Sequence, residues 1–136
     1  MEKESDIVIS QRIRNHLIEY LEYACSEERL LEYQKNAPIA QVPIELIEQW
    51  SDSFDMDGYV KGWYSPPTYT EEELQAALAF EAIINYACKN LPNITYDINE
   101  IFKMPWWPLF KKQAKITLSV FMKRGKLSND TEELNK

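Results

Sequence analysis

The stretch SFDMDGYVKGWYSPPTYTEEE, residues 53–73, concentrates acids, aromatic rings and two of the three glycines of the chain. Asp55, Asp57 and Gly58 have the spacing of the third, fifth and sixth places of a calcium loop. The remaining places go against that chemistry. Ser53 stands at the first, Lys61 at the ninth and Tyr64 at the twelfth, where a bidentate carboxylate is needed to surround a hard cation. Calcium binding is therefore not expected.

Acid–base chemistry would have to use His16, the only histidine, with Arg12 and Glu19 about one turn to either side. At that helical spacing such groups more often form a solvated face than a catalytic set. One histidine and two distant cysteines do not make a zinc ligand set. Three glycines leave no phosphate-cradling motif. The many carboxylates are read as solubilising surface or helix-start acids rather than as a paired acid and base. No catalytic residue, metal or cofactor is expected, and the chain is expected not to be an enzyme.

The elements that must carry these residues read as helices. From Ile7 to about Ala24, Ile9, Ile13, Leu17, Leu21 and Ala24 fall on one stripe, behind Ser5 and Asp6 as caps. Ser26 starts a continuation that Pro38 closes, and Pro43 suits the first turn of a short helix, PIELIEQWSDSF, over residues 43–54. Thr70 and Glu73 have capping-box spacing before the strongest helix, whose stripe is Ala77, Phe80, Ile84, Ala87 and Leu91, and whose alanines suggest a central position. Pro92 ends it. PNITYDI carries a weak strand signal without an obvious partner, and YDINEIFKM reads as a short helical turn. Pro105 or Pro108 opens a last helix with Phe110, Ala114, Thr117, Leu118 and Phe121 inward, and Gly125 stops it. The expectation is an all-α, compact single-domain bundle of about five or six helices over residues 1–124, with a long acidic and aromatic loop. Residues 125–136 are expected to form a frayed polar tail.

Bulk composition fits one such domain. The chain has 136 residues, 45% of them hydrophobic. No apolar run approaches the roughly 20 residues of a membrane span, and the opening MEKESD lacks the order of a secretion signal. A cytoplasmic location and no membrane partner are expected. Cys25 and Cys88 read as reduced, buried thiols, though spacing does not exclude a bridge. Net charge is −7, unevenly spread: residues 1–100 hold 7 basic and 19 acidic side chains, residues 101–136 hold 8 basic and 3 acidic. That balance argues against non-specific nucleic-acid binding. The basic helix carrying Lys111, Lys112, Lys115, Lys123 and Arg124, with Trp106 and Trp107 as stacking platforms, keeps a nucleic-acid or regulatory module as an alternative. Packing beside the chain's own acidic helices is the other reading of those cations. A small enzyme centred on His16 is a further alternative.

The loop between the helices is long for a bundle connection. Trp63 and Tyr64 either plug the edge of the core or belong to an acidic, aromatic recognition surface. The candidate partner-binding residues are Asp52, Asp55, Asp57, Tyr59, Trp63, Tyr64, Glu71 and Glu72, with rings as anchors and carboxylates for steering. Finally, APIAQVPIELIEQWSDSF followed by YTEEELQAALAFEAIINYACKNLP resembles small bacterial immunity proteins of contact-dependent growth inhibition systems. The resemblance covers roughly residues 30–91 and lies in size, acidity and helix layout. It implies a non-enzymatic cytosolic inhibitor whose acidic surface answers a basic toxin domain, often a nuclease.

Overall fold

The computed structural model describes residues 5–90 and 98–132, apart from the side chains of Met56 and Asp57. Five long helices, α1 (Asp6–Ala24), α2 (Glu27–Asn36), α3 (Val42–Ser53), α5 (Glu71–Lys89) and α7 (Trp107–Phe121), are joined by two single-turn helices, α4 (Met56–Val60) and α6 (Ile98–Phe102). The described residues contain no strand, and the fold is all-α. Leu91, Pro92 and most of PNITYDI lie outside the described residues.

Local chemistry sets the helix ends. Ser5, Ser26 and Thr70 each accept a backbone N–H three residues ahead, from Val8, Arg29 and Glu73 respectively. Glu73 completes the box by accepting the Thr70 N–H at 3.1 Å, so two otherwise orphaned donors are satisfied by one pair of side chains. Pro43 and Pro108 occupy the first turns of α3 and α7, where a missing N–H costs nothing. Gly125 follows α7 with φ of 75°, a backbone conformation that a side chain would strain.

The core is aromatic and continuous. Tyr20 meets Trp50 and Phe80, Trp50 meets Phe54, and Phe54 stacks at 4.5 Å on Tyr64. Tyr64 meets Tyr69, which meets Phe121. From Phe80 a second branch runs through Phe110 to Trp106 and Trp107. Tilted and edge-to-face rings fill space without facing their negative π clouds toward each other.

The centre belongs to α1 and α7 rather than to α5. Helix α1 packs against α2, α3 and α7, while α5 packs mainly on α7 and presents a single buried stripe of Glu73, Ala77, Phe80, Ile84 and Ala87. Helix α1 is buried on more than its expected stripe: Gln11, Arg14 and Asn15 are inside as well, and Ile9 and Ile13 are only half-buried. These polar side chains hold the chain beyond α7. Asn15 donates to the Leu127 carbonyl at 2.7 Å and accepts the Leu127 N–H at 2.9 Å. Gln11 donates to the carbonyls of Ser128 and Thr131, and Arg12 to that of Asn129. Residues 126–132 are therefore a strap docked on α1, with Leu127 buried, and not a frayed tail.

Below the strap lies a buried ionic network. Arg14 is fully buried and faces Glu73 with Nη2 at 2.8 Å and Nε at 3.2 Å. Its other donors meet the carbonyls of Phe121 (3.0 Å) and Gly125 (2.5 Å), and its guanidinium lies 5.1 Å from the Phe121 ring centre. Arg124 closes on Glu73 from the other side at 2.5 and 3.0 Å, and reaches the Pro67 and Thr68 carbonyls. One carboxylate thus ties the start of α5 to α1, to the end of α7 and to the loop before α5. Burial pushes the Glu73 pKa upward, but hydrogen bonds from Arg124, Arg14 and the Thr70 N–H outweigh it and leave the carboxyl below its ordinary value.

Candidate functional site

The acidic and aromatic segment is folded, not a free loop. Asp55 accepts the Gly58 N–H at 2.9 Å and starts α4. The Tyr64 hydroxyl donates to the Ser53 carbonyl and accepts the Asp55 N–H, so the ring closes the segment back on itself. Gly58 permits this: a Cβ there would stand 2.5 Å from Tyr64 Cζ, well inside contact distance. Tyr64 is 4% exposed, and burial pushes its hydroxyl pKa up to about 12. It is a core residue and is removed from the candidate contact surface. Its burial follows from the apolar slot between Phe54, Tyr59 and Tyr69.

The other candidates divide by exposure. Asp52, Asp55, Tyr59, Glu71 and Glu72 are exposed, and Trp63 is half-buried against the core with Lys61 Nζ 4.7 Å from its ring centre. Ser10 donates to the Trp63 carbonyl and anchors this turn to α1. Glu72 is engaged by Lys123 at 2.6 Å. The Asp57 side chain lies outside the description. Glu48, Asp52 and Glu71 make no ion pair among the described residues. Beside Tyr59 stands Glu81, whose carboxyl is pushed up by burial. Asp52 also lies on the wall of a depression of about 380 Å³ between α1 and α3.

The basic end of the chain is largely spent inside the molecule. Lys111 pairs with Glu27 at 2.7 Å, Arg124 with Glu73, and Lys126 with Glu19 at 3.2 Å, in addition to the Lys123–Glu72 pair. Hydrogen bonds from Lys111 and Trp107 lower the Glu27 pKa. Lys112 and Lys115 remain exposed. Trp106 and Trp107 are 4% and 3% exposed, so neither offers a face on which a base could stack. Packing of the cations against the chain's own acids was legible in the charge asymmetry. Which acids they meet was not.

His16 is an exposed side chain with Glu19 Oε2 3.8 Å from its Nδ1. Its helical neighbour Arg12 is turned to the strap. Both cysteines are free thiols; Cys25 is half-buried with its pKa raised by burial, and Cys88 is exposed rather than buried. Among the described residues no group of three or more His, Cys, Asp or Glu side chains is placed to hold a metal ion. No described helix is long and apolar enough to cross a membrane.

Three exposed rings escaped the sequence reading: Tyr86 on α5, 56% exposed, and the pair Tyr23 on α1 and Tyr33 on α2, 44% and 37% exposed. The pair's facing one another across a groove depends on how α1, α2 and α3 pack, which no local pattern encodes. No family model matches the chain, and neither a curated protein nor a solved structure matches it.

Proposed function

We propose that this chain is a non-enzymatic inhibitor that acts by binding a protein, as the immunity partner of a bacterial toxin domain. One observation carries the reading. Four cations of the C-terminal helix and the segment after it, Lys111, Lys123, Arg124 and Lys126, are paired within the chain with Glu27, Glu72, Glu73 and Glu19, which leaves Lys112 and Lys115. The exposed carboxylates of Glu48, Asp52 and Glu71 have no such partner among the described residues. These pairs, three of them at the surface, cancel cation against acid, so the chain's net charge of −7 is left on carboxylates that have no cation beside them. A negative surface with rings among its carboxylates steers a basic partner and rejects acidic ones, nucleic acid included.

Asp52, Asp55, Tyr59 and Glu71 keep their roles in this reading, while Glu72 is paired with Lys123, Trp63 is half-buried and Tyr64 is internal. Asp55 and Asp52 supply charge, and Tyr59 supplies contact area at low entropic cost. The test is protection. Co-expression with the toxin domain encoded by the neighbouring gene should restore growth, and the purified chain should block that domain's activity at one-to-one stoichiometry. Growth arrest unchanged by co-expression of the folded chain would contradict the proposal.

A further inference from the structure

Helices α1, α2 and α3 enclose a groove made of three contiguous depressions that share Tyr23. The first, about 180 Å³, has Tyr20, Val42 and Leu46 as its floor and Tyr33, Glu45 and Gln49 along its rim. The second, about 380 Å³, continues along α1 past His16 and Glu19 to Asp52. The third, about 250 Å³, opens between Tyr23, Tyr33, Arg29 and Glu32. The floor is apolar, two rings stand at its edges, and four carboxylates (Glu19, Glu32, Glu45 and Asp52) line it, against Arg29 and the single imidazole.

The groove already shows what it recognises. Arg29 lays its guanidinium 5.6 Å from the Tyr23 ring centre while its Nη1 approaches Glu22 at 3.7 Å. A guanidinium held between a ring face and a carboxylate combines cation–π attraction with charge pairing. On the facing wall the Tyr33 hydroxyl donates to Glu45 Oε2 at 3.3 Å, which holds a carboxylate beside a ring, and no cation is paired with Glu45 among the described residues. Asp52 offers a second carboxylate beyond Gln49 on the same side of α3.

We propose that this groove is the docking site for an arginine-bearing segment of a basic partner protein, with a guanidinium paired to the Glu45 carboxylate that Tyr33 holds and a second cation at Asp52. The proposal rests on the binding reading above and names its surface: the contact face turns from the 53–73 segment across α3 toward α1 and α2, with Asp52 common to both. Charge complementarity selects the occupant, since an acidic segment or a nucleic-acid backbone would meet the carboxylates of Glu32, Glu45 and Asp52, none of them in an ion pair among the described residues, Glu19 being paired with Lys126. The apolar floor takes the aliphatic stem of the arginine, which buries its methylenes while its head stays polar.

The probe is a blocked peptide of alternating glycine and arginine, with a citrulline peptide of the same length as its uncharged counterpart, titrated into the isotopically labelled protein and followed by NMR. Saturable shifts should concentrate at Tyr23, Tyr33, Glu45 and Gln49 with the arginine peptide and be absent with citrulline. Glu45→Lys combined with Asp52→Lys should weaken binding by at least about tenfold, equivalent to about 1.4 kcal/mol. Asp55→Lys combined with Glu71→Lys should weaken it by less than about threefold, as expected for screened charges outside the site. Shifts confined to Asp55, Tyr59 and Glu71 would overturn the groove while leaving the inhibitor reading standing on its first surface. Equal binding of citrulline, or no saturable shift in the unmodified protein, would also overturn the groove. The growth-protection assay decides the function independently of any of these results.

Discussion

Replacing Glu73 with Gln should be the most destabilising single change in the first turn of α5, since it is the buried last member of an acidic run whose first two members, Glu71 and Glu72, are exposed. The substitution preserves shape and removes charge. Arg14 would then sit fully buried with its guanidinium opposite a neutral amide, and the bonds from both Nη2 and Nε would lose their charge assistance. Arg124, a quarter exposed, can turn to water. Arg14 cannot. Breaking a buried pair from one side costs about 3–5 kcal/mol. A 136-residue domain holds roughly 7–20 kcal/mol in total, so the change removes a large fraction of it. With unfolding entropy near ~2.1 cal/mol/K per residue, the expected fall in Tm is about 10–17 °C.

The pH dependence adds a sign. Because the folded Glu73 pKa lies below its ordinary 4.5, the carboxylate stabilises the fold fully above that value and loses its contribution as pH falls through the depressed one. The gap between the native chain and Glu73→Gln should therefore be widest near neutral pH and shrink below about pH 4. Thermal and urea melts followed by circular dichroism at several pH values measure both effects. A drop of less than about 3 °C near neutral pH, or a gap that widens on acidification, would refute the reasoning. The companion double variant Arg14→Met with Glu73→Leu should cost less than the sum of its single changes, because no buried charge is then left alone.

Three further outcomes follow from the packing. Gly58→Ala places a methyl group against the Tyr64 ring and should destabilise by about 1–3 kcal/mol in urea melts, with Tyr64→Leu beside it restoring part of the loss. Asn15→Ala removes both hydrogen bonds to Leu127 and should cost about 1–3 kcal/mol, while amide exchange of residues 126–132 speeds up more than that of the core. The buried Tyr69 hydroxyl has no hydrogen-bond partner among the described residues, so Tyr69→Phe should leave stability unchanged or raise it by about 1 kcal/mol in the same melts.

What was legible in the sequence was local. The capping box of Thr70 and Glu73, the prolines at helix starts and the 3.6-residue stripe from Ala77 to Ala87 are decided within one or two turns. The same Glu73 shows where legibility ended. Its capping role needs a residue three positions away, whereas its ionic role needs Arg14, 59 positions away, and Arg124, 51 positions away. Arg14 gave no signal, since a charged residue beside an apolar stripe reads as surface until a buried acid is known to meet it. The strap failed for a related reason: one leucine among polar residues has too little periodicity to predict docking, and its hold is supplied by polar side chains of α1. Within the candidate segment, Asp52, Asp55, Glu71 and Glu72 are exposed, as charged groups with no buried partner must be, while the rings could not be sorted. Tyr59 and Tyr64 are both aromatic residues of one turn-rich segment, and only the slot above Gly58 sends Tyr64 inward. Tyr23 and Tyr33 were hidden because a groove between three helices exists only after they pack.

The central proposal, that a retained negative surface captures a basic protein without doing chemistry, is tested most directly by association kinetics, at increasing ionic strength, with a basic toxin domain against which the chain protects in co-expression. The account predicts a one-to-one complex whose association rate falls steeply with salt while its dissociation rate changes little, the signature of charge steering. Reversing Asp52 to Lys should flatten that salt dependence. Absence of a complex at low salt, or an association rate that rises as salt is added, would contradict it.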